Sequence, residues 1–262
     1  MVIDSHAHIF PVQIAEKASV GIGGFYGLDM RFDGTVKTLL EIGERAGIDK
    51  FVVHSVATIP EQVGSINNFI IETVKNYPGK LIGYAAMHPE FLDISGELER
   101  VTAMGLKGIK IHPDFQRFNI DSDSAMRIYE CAERQKLPVL IHTGDYRYEY
   151  SKPARLANVL DAFPKLDVIA AHFGGWSEWD GAKNALAGKR LWVDTSSSLY
   201  TITPAEARGL VDVFGADMVL FGTDYPMWDA SEELERLDAI GLNDEEKEKI
   251  LHINTEKLLN LC

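Results

Sequence analysis

The chain has 262 residues, 46% of them hydrophobic, and a formal net charge of −13. That length suits one α/β barrel of about 250 residues or two ordinary domains, and either can bury a large core. With 39 Asp and Glu against 26 Lys and Arg, a broad nucleic-acid footprint is disfavoured because it needs clustered cations; phosphate held locally by a metal stays compatible.

Val2 and Ile3 open an apolar run that reads as a short strand closed by His6 and His8. Side chains two apart on a strand point the same way, so both imidazoles project together from its C-terminal end. A lone histidine there would read as a packed residue; two just before a loop suit a borderline-soft cation. A glycine-rich segment follows, Gly21-Ile22-Gly23-Gly24-Phe25-Tyr26-Gly27, read as a long loop before a first helix near Thr35 and expected to be a mobile cover.

Seven more strand candidates come at regular intervals: Lys50–Val56, Leu81–Met87, Gly108–His112, Pro138–His142, Val168–His172, Leu191–Thr195 and Met218–Gly222. They are continuously apolar, as strands buried on both faces should be. Helices fill the gaps. Ile66, Phe69, Ile70, Val74 and Tyr77 keep a helical stripe that stops near Pro78-Gly79, and Leu156, Val159, Leu160 and Phe163 do the same before Pro164. Thr203-Pro204-Ala205-Glu206 looks like a capping box with proline at the first helical position. Asn243 with Glu246 offers a second, and Thr255 opens a short closing helix.

Eight strand–helix units with no linker between them predict a single (β/α)8 barrel domain over residues 1–262, with an open doubly wound sheet as the alternative. The N-terminus has no basic segment ahead of a long apolar stretch, and no window approaches a membrane span. Cys131 falls in a helical pattern and Cys262 is the last residue, so no disulfide framework is expected. The resulting expectation is a cytoplasmic protein acting on a small molecule, without membrane or nucleic-acid partners and with a homo-oligomer left open.

Five of the eight histidines, His6, His8, His112, His142 and His172, fall at the C-terminal ends of these strands, the rim that surrounds one cavity in such a barrel. Asp224 follows the eighth strand. Three imidazoles and a carboxylate, from His6, His8, His142 and Asp224, match a catalytic divalent site that keeps room for water. One ion is expected, zinc by default, with manganese or iron also suited to these ligands. His172 is then expected beside the ion, holding that water or a substrate carbonyl. His54 and His88 are read as satisfied core or rim histidines. Arg117 and Arg147, in the loops after strands four and five, are candidates to clamp a substrate carboxylate, unless solvated or paired to acids such as Asp114 or Glu149.

The segments Ile3-Asp4-Ser5-His6-Ala7-His8, Gly108-Ile109-Lys110-Ile111-His112-Pro113, Leu140-Ile141-His142-Thr143-Gly144, Ala170-Ala171-His172-Phe173-Gly174-Gly175 and Phe221-Gly222-Thr223-Asp224-Tyr225-Pro226 follow one another along nearly the whole chain. In that order, and with Ile253-Asn254-Thr255 leading a terminal helix, they resemble the amidohydrolase superfamily. The resemblance is to the amidohydrolase-related branch that includes aminocarboxymuconate-semialdehyde decarboxylase. It implies metal ligation by His6, His8, His142 and Asp224, water positioning by His172 and a proton shuttle at Asp224. Two-metal members of the superfamily bridge their ions with a carboxylated lysine on strand four, where Lys110 lies; the decarboxylase-like branch uses one ion. The one-ion reading leaves Lys110 or His112 to bind substrate.

A metal-dependent hydrolase of a small carboxylated amide, lactone or cyclic compound is the first functional expectation. A non-oxidative decarboxylase is the second, and a catalytically silent binding barrel the third.

Overall fold

The computed structural model describes residues 1–261, so Cys262 lies outside the described residues. The chain begins β1 (Ile3–His8), α1 (Val12–Tyr26), α2 (Val36–Ala46), β2 (Lys50–His54), α3 (Val63–Asn76), β3 (Leu81–Ala86), α4 (Ile94–Ala103) and β4 (Gly108–Ile111). It continues α5 (Pro113–Gln116), α6 (Asp123–Gln135), β5 (Val139–Ile141), α7 (Pro153–Ala162), β6 (Val168–Ala170), α8 (Trp179–Leu186), β7 (Trp192–Asp194) and α9 (Pro204–Phe214). Last come β8 (Val219–Leu220), α10 (Ala230–Asp238), α11 (Asp244–Glu248) and α12 (Asn254–Leu259).

The eight strands pair in parallel in their chain order. The seam between first and last strand is drawn together by backbone bonds from Ser5 N–H to the Phe221 carbonyl, from Asp224 N–H to that of His6 and from His8 N–H to that of Tyr225, each 2.8 Å. This is a (β/α)8 barrel, the architecture that continuous apolar strands and intervening helices predicted. Several strands are shorter than expected. The ladder of β5 ends at Ile141, that of β6 at Ala170 and that of β8 at Leu220, so His142, His172 and Asp224 stand just beyond it.

Two apolar layers hold the barrel. Inside it, Val52, Tyr84, Leu140, Ile169, Trp192 and Leu220 pack together, with Leu258 and Leu259 of α12 in the same cluster. Between strands and helices lies the larger layer, including Ile109, Ile111, Ile128, Val139, Val159, Leu160 and Leu210. Each such side chain, fully buried, contributes about 1.5–3 kcal/mol. Both expected capping boxes form, at Thr203 with Glu206 and at Asn243 with Glu246. Cys131 is a free, half-buried thiol on α6.

One expectation is corrected. The glycine-rich segment is not a loop: residues 12–26 form α1, which ends at Gly27 in the left-handed conformation, φ 68°, with its N–H bonded to the Gly23 carbonyl. Glycine costs about 1 kcal/mol per helical position relative to alanine, so composition alone disfavoured this helix. Tertiary packing decides otherwise. Phe25 packs edge-on against Phe115, with ring centres 4.6 Å apart, and Tyr26 against Trp176 at 5.0 Å. The Arg147 guanidinium donates to the Phe25 carbonyl at 2.6 Å and lies 4.7 Å from the Phe25 ring centre. The helix is thereby fixed across the mouth of the barrel.

Candidate active site

The strand ends bring His6, His8, Lys110, His112, His142, His172 and Asp224 around one cavity of about 20 Å³, covered by Ile22, Tyr26, Phe115, Pro226 and Met227. His172 and Asp224 have φ of 62° and 60°, a backbone region uncommon for residues other than glycine and often found at functional sites. A close approach of two loops helps to set the site. Gly144 has φ 79°, and a Cβ there would stand 2.6 Å from Gly175 Cα, so no larger residue fits between the turns that follow His142 and His172.

The donors fall into two groups. His6 Nε2, His8 Nε2 and Asp224 Oδ1 form a triangle with all three sides 3.4 Å. Donors about 2.1 Å from an ion in tetrahedral array are separated by roughly 3.4 Å, so the triangle has the size of one face of a metal polyhedron. Lys110 Nζ donates to His6 Nε2 at 3.1 Å. Across the cavity, His142 Nδ1 faces His172 Nε2 at 3.0 Å.

Partners behind the ligands set which nitrogen carries the proton. His6 Nδ1–H donates to Asp194 Oδ2 at 2.9 Å, leaving Nε2 as a bare lone pair in the triangle. His172 Nδ1–H donates to the Ser196 carbonyl at 2.9 Å, so its Nε2 is also bare. His142 Nε2 lies 3.4 Å from Asp114 Oδ2 without closing a hydrogen bond, so without a metal its proton is on Nδ1, donated to His172 Nε2 at 3.0 Å; a metal taking Nδ1 would move that proton to Nε2, where Asp114 faces it. The 3.4 Å triangle gathers two imidazole nitrogens and a carboxylate oxygen at a spacing that a bound cation would reconcile. The residues present therefore fit a divalent metal.

The electrostatics agree. Burial, with the Lys110 cation second, pushes His6 down to about 4. Burial likewise pushes His142 and His112 well below 6.5. Burial would push the Asp224 carboxyl up, but the surrounding histidines, His6 first, hold it well below the usual carboxylate range. At neutral pH His6, His8, His112 and His142 are thus neutral imidazoles and Asp224 an ionised carboxylate, the protonation state that metal ligation requires. Ser197 Oγ–H donates to the other Asp224 oxygen at 2.5 Å and fixes the carboxylate's orientation. Burial lowers the Lys110 ammonium to about 8 against the pull of Asp224 and Asp194.

The remaining sequence candidates are placed differently. His112 Nδ1 accepts from the Phe115 N–H at 3.3 Å, so its Nε2–H donates to the Tyr26 hydroxyl at 2.9 Å, and its ring stacks on His142 with centres 3.9 Å apart. Arg147 is not available to clamp a substrate: Asp145 takes it bidentately at 2.9 and 2.7 Å, and its remaining reach goes to α1. Its partner is thus neither of the acids the sequence suggested. Arg117 is exposed and borders a larger neighbouring cleft, not the metal chamber. His54 is fully buried beside His6 and His8, and neither of its ring nitrogens has a hydrogen-bond partner among the described residues. It is a core histidine without being a satisfied one.

Sequence reasoning missed Tyr26, Asp194 and Ser196. The run Asp194-Thr195-Ser196-Ser197-Ser198 at the end of β7 was the available signal, since polar residues there enter a buried rim.

The sequence matches the Amidohydrolase family from residue 3 to residue 261. The chain belongs to that family. Among curated relatives of this amidohydrolase, 2-amino-3-carboxymuconate-6-semialdehyde decarboxylase of Dictyostelium discoideum is 25% identical over 294 residues, covering 86% of this chain and 81% of the relative. Gamma-resorcylate decarboxylase of Rhodococcus jostii (strain RHA1) is 22% identical over 265 residues, covering 79% of this chain and 80% of the relative. The family match agrees with the superfamily that the motifs resemble, and both of these relatives are named decarboxylases. Among solved structures, the dihydroxybenzoic acid decarboxylase of Polaromonas sp. JS666, with bound manganese and the inhibitor 2-nitroresorcinol, superposes with a TM-score of 0.76. The two are 16% identical, and the match covers 99% of this chain and 97% of that one; at that identity it speaks for the fold. No described helix is long and apolar enough to cross a membrane.

Proposed function

We propose that this amidohydrolase is a metal-dependent, non-oxidative decarboxylase of a small carboxylated substrate. The observation that carries the metal is the 3.4 Å triangle of His6 Nε2, His8 Nε2 and Asp224 Oδ1. His142 Nδ1 completes the proposed ligand set from the opposite wall. A divalent ion bound there supplies a Lewis acid for a substrate carboxylate or hydroxyl oxygen. The ligand types suit zinc, and the manganese of the Polaromonas decarboxylase makes that ion the first to compare.

Decarboxylation is placed ahead of hydrolysis for two reasons. Both curated relatives are named for carbon dioxide loss. The chamber is roofed by Ile22, Phe115, Pro226 and Met227, apolar side chains that would strip water from a bound carboxylate. A desolvated carboxylate loses its hydration, while the charge left on carbon is spread over the substrate. Lys110 Nζ and the Tyr26–His112 pair supply hydrogen-bonding groups to hold the substrate's polar edge. As the carboxyl carbon leaves, its bonding electrons stay on the substrate carbon, which then takes a proton. That proton comes from a substrate hydroxyl or from solvent: Asp224, ionised at neutral pH and with its other oxygen fixed by Ser197, would take it up and hand it to the carbon, while His172 Nε2 would orient the substrate oxygen.

The test uses metal-loaded protein with resorcylate and related hydroxybenzoates in deuterated, oxygen-18-labelled water. The expected result is one carbon dioxide released per turnover, one deuterium on the former carboxyl-bearing carbon and no oxygen-18 in the organic product. With a carboxylated lactone in the same water, ring opening with oxygen-18 incorporation and the carboxyl retained would make the protein a hydrolase acting through the same centre.

A further inference from the structure

The metal chamber cannot hold a substrate's body. Its volume of about 20 Å³ is of the order needed for one water molecule, enough for the reacting group alone. Beside it lies a cleft of about 630 Å³, within the roughly 300–1,000 Å³ range of small-molecule sites. His8, Ile22 and Phe115 line both spaces, so the cleft meets the chamber at these three side chains.

The cleft runs between α1, the segment after β2, α3 and the Phe115–Arg117 turn, and its walls are mainly apolar, with Phe10, Ile14, Val56, Ile66 and Phe69. Lys17 and Arg117 are the cations that line it, and both are exposed. Neither has a carboxylate within ion-pairing distance among the described residues, in contrast to Arg147, which Asp145 occupies. Arg117 also borders a smaller cavity of about 180 Å³ containing His88 and Glu90.

We propose that this cleft is the subsite for the body of the substrate, which is an elongated, mainly apolar carboxylic acid with a second anionic group at its far end. The reacting carboxylate enters the chamber past Ile22 and Phe115, the apolar body lies along Phe69 and Ile66, and the distal anion meets Arg117 and Lys17. The placement of the reacting carboxylate rests on the metal-centre reading above. The length and charge of the body rest on the cleft.

Calorimetric titration of the metal-loaded protein with straight-chain monocarboxylates from propionate to nonanoate, and with diacids of matching length, tests this. Affinity should rise about fourfold per added methylene until the cleft is filled. At the longer lengths diacids should bind more tightly than monoacids, and Arg117→Gln should shrink that difference while leaving monoacid affinity unchanged. Gly21→Leu supplies the decisive control. Gly21 lies in α1 on the cleft wall, and a Cβ there has nothing within 4 Å, so a leucine side chain has room to narrow the cleft while favouring the helix. It should remove the gain with length and leave propionate affinity and metal content unchanged. Length-independent affinity in the wild type, with propionate still bound only when metal is present, would overturn the cleft. Equal affinity for monoacids and diacids at every length would overturn the anionic end. Propionate affinity and the gain with length both unchanged on metal removal would instead overturn the metal centre and leave the cleft standing.

Discussion

Asp194→Asn tests whether the residues behind the ligands prepare the centre. Asp194 is fully buried. Its Oδ2 accepts from His6 Nδ1 at 2.9 Å, while Oδ1 accepts from the backbone N–H groups of His172 at 3.0 Å and Ser196 at 3.1 Å, and from the Ser196 hydroxyl. Burial pushes this carboxyl up, but His6 and then His172 and Ser196 outweigh it and hold the group down to about 2, so it is ionised at neutral pH. Asparagine has one acceptor oxygen where aspartate has two. Turning that oxygen toward His6 would leave two buried N–H groups facing an amide NH2, at about 1–3 kcal/mol each. The oxygen therefore stays with the backbone and the NH2 takes the place of Oδ2. It then donates to His6 Nδ1, which forces the imidazole proton onto Nε2, inside the donor triangle. Loss of such an outer partner typically weakens metal binding 10–100-fold, equivalent to about 1.4–2.7 kcal/mol. Competition against a chromophoric chelator, with zinc and with manganese, measures this directly on protein whose circular dichroism matches wild type. A folded variant with undiminished affinity for both ions would refute the tautomer argument and, with it, His6 Nε2 as a ligand.

Asp224→Asn keeps the side chain's shape and one coordinating oxygen, so it should retain much of its metal while turnover falls about 10²–10⁴-fold. His172→Asn should behave similarly, and a metal-free His172→Asn would instead make His172 a ligand; metal content and turnover on the same preparations decide both. Glu233 is fully buried with one oxygen unpartnered, and burial raises its pKa from 4.5 to about 7 despite Arg236. The folded state therefore holds a proton that the unfolded chain has released, and the cost of the charged form is absent below pH 4.5 and complete above about 7. Glu233→Gln should accordingly stabilise the protein at pH 8 by up to about 3 kcal/mol and change little at pH 4; equal denaturant midpoints at pH 8 would contradict this. Arg147→Gln removes the charged hydrogen bond to the Phe25 carbonyl, and hydrogen exchange around Phe25–Gly27 should quicken about 10–100-fold. Unchanged protection there would show that aromatic packing alone holds α1.

The barrel was legible in the sequence because each of its determinants is local. Continuous Val, Ile and Leu runs mark strands covered on both faces, and capping residues such as Thr203 and Asn243 mark helix starts. Strand number and order follow from repetition of that unit, and the motifs at His6, His142, His172 and Asp224 were visible because strand ends in this fold share one rim. Local pattern could not decide three things. The glycine-rich stretch became helix α1 because Phe115, Trp176 and Arg147, all distant in sequence, grip its end. Arg147 and Arg117 look alike as loop cations, but a neighbouring Asp145 occupies one and leaves the other on a cleft. The proton positions on His6 and His172 depend on Asp194 and Ser196, brought beside them by strand β7. Periodicity and capping act within a few residues of chain, whereas the choice of partner for a buried charge or ring is made by side chains that only the closed barrel brings together.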